Sequence, residues 1–248
     1  MSFNSNDIIS EGKISILSPH AGGNIQDNHY LKKNIFPVNE FDSIIKSAQM
    51  GTPLIELGNG RPKVMVVAGV HGNELPPQIA ALNLIEYMKN VPVWGTVYLI
   101  PFAAPGATME NTRWFKGSDL NRASSSEGSI TNIILKFIQM LNLDAVADFH
   151  STKPKSNPGR ESVFCTKKPC INSFNIARYI TQKTSSELIC YDEAGSMYKG
   201  ALEDECNLRN IPSVTCEVVS ENGKVNPGSI ERSFLQMKVF LKHFKILR

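Results

Sequence analysis

The chain has no Cys-x-x-Cys pair, no block of basic residues, and no apolar stretch of the ~20 residues that a membrane-spanning helix needs. Its five cysteines, Cys165, Cys170, Cys190, Cys206 and Cys216, are odd in number, so neither a disulfide framework nor a cysteine-based structural zinc site is supported and buried free thiols are the better reading. A formal net charge of +3 over 248 residues is too small and too dispersed for a nucleic-acid surface. The polar segment Met1 to Gly12 lacks the apolar core of a secretory signal, so a cytoplasmic protein with no membrane partner is expected. There is no internal repeat and no Gly-x-Ser-x-Gly elbow, so a covalent nucleophile at Ser118 or a cysteine has no motif behind it. Oligomeric state is not legible in the sequence.

What is present is alternation. The spacing of Phe41, Ile44, Ile45 and Ala48 predicts a short helix over 39–49, capped by Asn39 and ended by Gly51. Leu54–Leu57 and Lys63–Val70 read as strands, and the Gly58-Asn59-Gly60 turn between them predicts an antiparallel hairpin. Pro76 and Pro77 suit a helix start, and Ile79, Leu82, Ile85 and Met88 carry that helix to Lys89. Further strands are expected at Thr96–Pro101, Ala145–Phe149, Ser162–Cys165 and Ser213–Val219. Helices are expected at Ile130–Leu141, Ile171–Lys183, Ala201–Asn210 and Ser229–Leu247, and a long loop over Phe102–Ser126. Strands alternating with helices predict an α/β fold: a mixed, largely parallel central sheet with helices on both faces, in a single domain over residues 1–248.

In such sheets ligands bind outside the carboxyl ends of the strands. His71, His150 and Glu217 all fall at or near predicted strand ends, and the apolar run Val64–Val70 stops at His71-Gly72-Asn73-Glu74. Two imidazoles and a carboxylate suit a catalytic zinc ion, and Glu74, three residues from His71, is the best-placed carboxylate. His20, His29 and His243 have no acidic residue at that spacing and read as structural or solvated. Hydrolysis at such a site also needs a proton acceptor and a group to hold developing negative charge, for which Glu217 and Arg113 are the candidates. The loop Arg113–Arg122 adds a second guanidinium and the amide of Asn121, the chemistry that grips a carboxylate.

Four pieces in order, His71-Gly72-Asn73-Glu74, Asp119-Leu120-Asn121-Arg122, Asp148-Phe149-His150 and Thr215-Cys216-Glu217, resemble the zinc carboxypeptidase superfamily in its succinylglutamate desuccinylase and aspartoacylase branch. The resemblance implies one zinc ion held by His71, Glu74 and His150. It implies Glu217 as general base and later proton donor to the leaving amine, and Arg113 polarising the scissile carbonyl. Asn121 and Arg122 would hold the substrate carboxylate, and Asp148 would orient His150 from behind. Tyr198, in Tyr198–Asp204, resembles the mobile tyrosine of the carboxypeptidases, and Arg160 is placed as an arginine that reaches a second acidic group. Relatives in this branch commonly carry a β-rich domain after the catalytic one; none is expected here, which leaves the substrate unnamed.

The expected function is therefore a zinc-dependent amidohydrolase acting on a small carboxylate-bearing amide, of the N-acyl amino acid deacylase type. The alternatives are a metallocarboxypeptidase acting at a peptide C-terminus and a non-catalytic carboxylate-binding protein on the same scaffold.

Overall fold

The computed structural model describes residues 12–35 and 41–248. Eight strands form one sheet: β1 (Lys13–Ile16), β2 (Pro53–Asn59), β3 (Lys63–Ala68), β4 (Gly95–Ile100), β5 (Ala145–Thr152), β6 (Ser162–Lys168), β7 (Glu187–Glu193) and β8 (Ser213–Val219), in the order β1-β2-β4-β3-β5-β8-β6-β7. The centre, β4-β3-β5-β8, is parallel throughout, while β2 and β6 run antiparallel to their inner neighbours. Among the described residues eight α-helices accompany it: α1 (His29–Asn34), α2 (Asp42–Met50), α3 (Leu75–Lys89), α4 (Pro105–Met109), α5 (Ile130–Leu141), α6 (Ile171–Thr181), α7 (Leu202–Leu208) and α8 (Ser229–His243).

The period of two along the central strands divides the core into two layers. Val64, Val66, Ala68, Ala147, Phe149, Val214 and Cys216 point to one face and pack under α3, α6 and α8. Met65, Val67 and Val146 point to the other, under α5 and α7, whose Ile134, Ile138, Leu202 and Cys206 complete that layer. The mixed sheet with helices on both faces is as the alternation of elements predicts.

The hairpin is not formed. β2 pairs antiparallel with β4, and β3 lies on the far side of β4, parallel to both β4 and β5. The turn itself exists, with Gly58 and Gly60 at positive φ, but the strands leaving it are held apart by β4. Thr96 fixes that insertion, its amide donating to Pro62 O at 2.9 Å and its hydroxyl to Gly60 O at 2.8 Å. The reason is burial: the apolar strand β3 satisfies both backbone edges and both faces only as an inner parallel strand.

Smaller differences are local. β5 runs on to Thr152, so His150 lies within the strand rather than after it. The long loop contains α4 and a 3-10 turn at Leu120–Arg122. β1, β7 and α1 carry too little apolar periodicity to be read in advance, and α8 ends at His243 instead of Leu247. Asn39, the expected cap of α2, lies outside the described residues, and Phe41 precedes the first turn. No helix among the described residues is long and apolar enough to cross a membrane.

Candidate functional site

At the carboxyl ends of β3, β5 and β8 the face under α5 and α7 changes from apolar to polar: Val146 is followed at two-residue steps by Asp148 and His150. Glu217 of β8 stands beside His150 in the parallel register, and Asp148 beside Thr215. His71 leaves β3 through a turn that begins at Gly69, whose φ is +74°. A Cβ on Gly72 would lie 2.0 Å from the carbonyl carbon of Ala107, so only glycine lets α4 press against this turn. From the first turns of α3, Gln78 Nε2 donates to the carbonyls of His71, Gly72 and Glu74 at 3.3, 3.2 and 3.0 Å, tying the loop to the helix.

His71, Glu74 and His150 are buried and converge, each offering one ligand atom with all three atoms within 4.8 Å of one another; among the described residues no other such group of three exists. Glu74 faces both imidazoles, Oε1 at 2.8 Å from His71 Nδ1 and Oε2 at 2.8 Å from His150 Nδ1. It also accepts the Ser151 amide at 3.0 Å. The far nitrogens are backed by carboxylates, His71 Nε2 by Asp119 Oδ1 and His150 Nε2 by Asp148 Oδ2, both at 2.9 Å. An imidazole that donates its outer N–H to a carboxylate presents its inner nitrogen as a lone pair, the support that metal-bound histidines commonly have. Each inner nitrogen stands at hydrogen-bond distance from the Glu74 carboxylate, a contact that a ring proton, or a metal ion in its place, can bridge. The donor set therefore fits a metal ion.

Attraction between opposite charges holds the cluster together. Burial works against the ionised form of Glu74, but His71 and His150 outweigh it and hold its pKa far below the usual carboxylate range. Burial likewise opposes the charged form of His150, and Asp148 and Glu74 outweigh it, raising its pKa well above the usual histidine value. Glu217 behaves in the opposite sense: burial and the nearby charge of Glu74 push its pKa up to about 8. Its Oε2 is buried without a hydrogen-bond partner.

A cleft of about 330 Å³ opens over this layer, lined by His71, Glu74, Arg113, Asn121, Arg122, Tyr198 and Glu217 among others. The Arg113 guanidinium reaches Asp119 Oδ2 at 3.1 Å and Glu74 Oε1 at 3.4 Å, so it stands beside the ligand cluster. Arg122 lies 5.3 Å from the centre of the Tyr198 ring and, among the described residues, forms no ion pair with a carboxylate. Asn121 has its Oδ1 buried and unpartnered.

One expected residue stays outside: Arg160 is exposed, pairs with Glu187 Oε2 at 3.1 Å on the surface, and does not line the cleft. Two residues went unassigned on sequence. Asp119 was visible only as the first letter of its motif and proves to orient His71. Gln78 stands just before the apolar stripe of α3, and nothing in the sequence marks its role.

Residues 60–232 match the sequence profile described as the succinylglutamate desuccinylase/aspartoacylase catalytic domain. Similar solved structures include a succinylglutamate desuccinylase/aspartoacylase from Rhodobacter sphaeroides, at 20% identity and a TM-score of 0.63, covering 80% of this chain and 61% of that one. The product-bound ectoine utilization protein EutE from Ruegeria pomeroyi matches at 18% identity and a TM-score of 0.65, covering 81% and 64%. A metallo-carboxypeptidase from Burkholderia cenocepacia matches at 14% identity and 0.63, covering 93% and 63%. The chain thus spans about three-fifths of the length of these structures, and at such identities the likeness is one of fold. No curated protein matches the sequence significantly.

Proposed function

Since the chain belongs to the succinylglutamate desuccinylase/aspartoacylase catalytic-domain family, we propose that it is a zinc-dependent amidohydrolase that cleaves an amide bond next to a free carboxylate, as in an N-acyl amino acid. The observation that carries this reading is Glu217, a half-buried residue whose Oε2 is itself buried and, among the described residues, unpartnered, set beside the His71, Glu74 and His150 cluster in a cleft that also offers the guanidinium of Arg122, which pairs with no carboxylate among those residues. A carboxyl left buried in this way is costly to fold, typically by several kcal/mol, and is retained where it moves protons.

A zinc ion held by His71, Glu74 and His150 would supply Lewis acidity toward the scissile carbonyl and toward water. Glu217 takes the proton of the attacking water on its free oxygen and returns it to the leaving amine nitrogen. Arg113, already within reach of Glu74, donates to the carbonyl oxygen as negative charge develops there. Arg122 and Asn121 hold the substrate carboxylate, with Tyr198 flanking Arg122. All of these groups come from one sheet and its connections, and the chain is taken as a single catalytic domain. Five free cysteines support a reducing compartment, the cytoplasm.

The test is Glu217→Gln. The variant is expected to bind zinc as the wild type does and to lose about 100-fold or more in turnover of acylated amino acids. Unchanged turnover would remove Glu217 from the mechanism. A wild-type protein that holds zinc and hydrolyses neither acylated amino acids nor peptides would favour a carboxylate-binding role instead, and cleavage of peptides alone would favour a carboxypeptidase.

A further inference from the structure

Glu203, in the first turn of α7, plays no part in the chemistry above, yet it lines the cleft together with Phe164, Ala201 and Thr215. Its side chain is buried, and its Oε1 accepts from Asn207 Nδ2. No lysine, arginine or histidine pairs with it among the described residues, although Glu205 on the same helix pairs with Arg209 at 2.6 Å. The other cationic side chains of the cleft form no ion pair with it: Arg113 contacts Asp119 and Glu74, and Lys153 is exposed just after β5. Burial and the neighbouring carboxylates of Asp204 and Asp148 hold Glu203 well above the usual carboxylate range. A buried acid that lines a cleft and has no cation of its own is one that a cation carried in by a substrate can pair with.

The rest of the wall defines what could bring that cation. Tyr198 packs edge-on against Phe164, with ring centres 5.6 Å apart, and Arg122 lies over the Tyr198 ring. The cleft thus presents a guanidinium that pairs with no carboxylate among the described residues, an aromatic and aliphatic wall of Tyr198, Phe164 and Ala201, and a buried acid.

We propose that Glu203 selects the amino-acid part of the substrate, so that the cleft takes an acylated amino acid whose carboxylate meets Arg122 and whose aliphatic side chain ends in a cation at Glu203. The orientation rests on the amidohydrolase reading above. A substrate with an aspartate or glutamate side chain would instead set an acid against a buried acid, and the two would have to share a proton.

Calorimetry on the zinc-loaded protein compares free lysine, norleucine, which has the same stem without the charge, and glutamate, alongside turnover of their N-acetyl derivatives. Lysine is expected to bind at least about tenfold more tightly than norleucine, the worth of one charge-assisted hydrogen bond, with glutamate last. In Glu203→Gln, which keeps the acceptor for Asn207, the lysine-to-norleucine ratio should fall to near one. A purely structural Glu203 would shift the melting temperature of that variant and leave the ratio intact, which would overturn the assignment. Equal wild-type binding of lysine and norleucine, or glutamate ranked first, overturns it without any variant. Lysine-selective binding with no hydrolysis of any acylated amino acid upholds Glu203 and overturns the amidohydrolase reading; hydrolysis without lysine preference does the reverse.

Discussion

Each imidazole of the candidate metal site is fixed from behind by a carboxylate, and the two differ in where that carboxylate comes from. Asp148 is two residues before His150 on the same strand, whereas Asp119 reaches His71 from a loop 48 residues away. Asp119→Asn should therefore loosen zinc about 10–100-fold, read by competition with a chelator, because outer partners of metal-bound histidines carry effects of that size. An unchanged affinity would mean that Asp119 serves Arg113 rather than His71. Glu217 makes a prediction about the metal-free protein. Its pKa rises from an ordinary 4.5 to about 8 on folding, so the folded state binds the proton more tightly than the unfolded one between those values. Stability from this group is full below about pH 4.5 and is lost as pH rises toward 8. Between pH 5 and 8 the melting temperature of the metal-free wild type should fall relative to that of Glu217→Gln; parallel curves would show that Glu217 is not buried as described.

Among elements, the turn after β3 is held by exclusion of side chains and by one amide. The carbonyl of Ala107 and the amide of Thr108 stand 2.0 to 2.3 Å from where a Cβ of Gly72 would sit, and backbone cannot rotate aside as a side chain can. Gly72→Ala should cost about 1–3 kcal/mol in chemical denaturation and weaken metal binding, since His71 must move with the turn. Stability lost with zinc affinity intact would show the turn to be decoupled from the site. This close approach also explains what could be read in advance. The strand, the histidine and the glutamate declare themselves by periodicity and spacing, as does the period of two that turns Asp148 and His150 to one face. The pairing of β3 does not, because a glycine-rich turn fits a hairpin and a crossover equally well. β4, entering from sequence beyond α3, takes the place that the hairpin partner would have had.

At the scale of the whole molecule, the polar end of the sheet gathers the groups of the candidate metal site above the two apolar layers. The inward nitrogens of His71 and His150 and the Glu74 carboxylate converge there beside Glu217, and a metal ion bound at that point stabilises the folded state by mass action. Zinc at about a hundred times its Kd is worth about 2.7 kcal/mol, which for a chain of this size raises the melting temperature by about 5–10 °C over chelator-treated protein. No shift would exclude a folded-state metal site here. The α/β class, the helices on both faces of the sheet and the His71–Glu74 spacing were determined by the sequence, because periodicity and residue type are local and a strand or helix reports them directly, while the order of the motifs around His71, Asp119, His150 and Glu217 was legible through their resemblance to a family. Tertiary structure decided which strand lies beside which, that Asp119 stands behind His71, that Arg160 faces Glu187 instead of the cleft, and that Glu203 shares the cleft with Arg122. Those are distances between residues far apart in the chain, set by how the whole sheet buries its apolar faces, and no local spacing carries them.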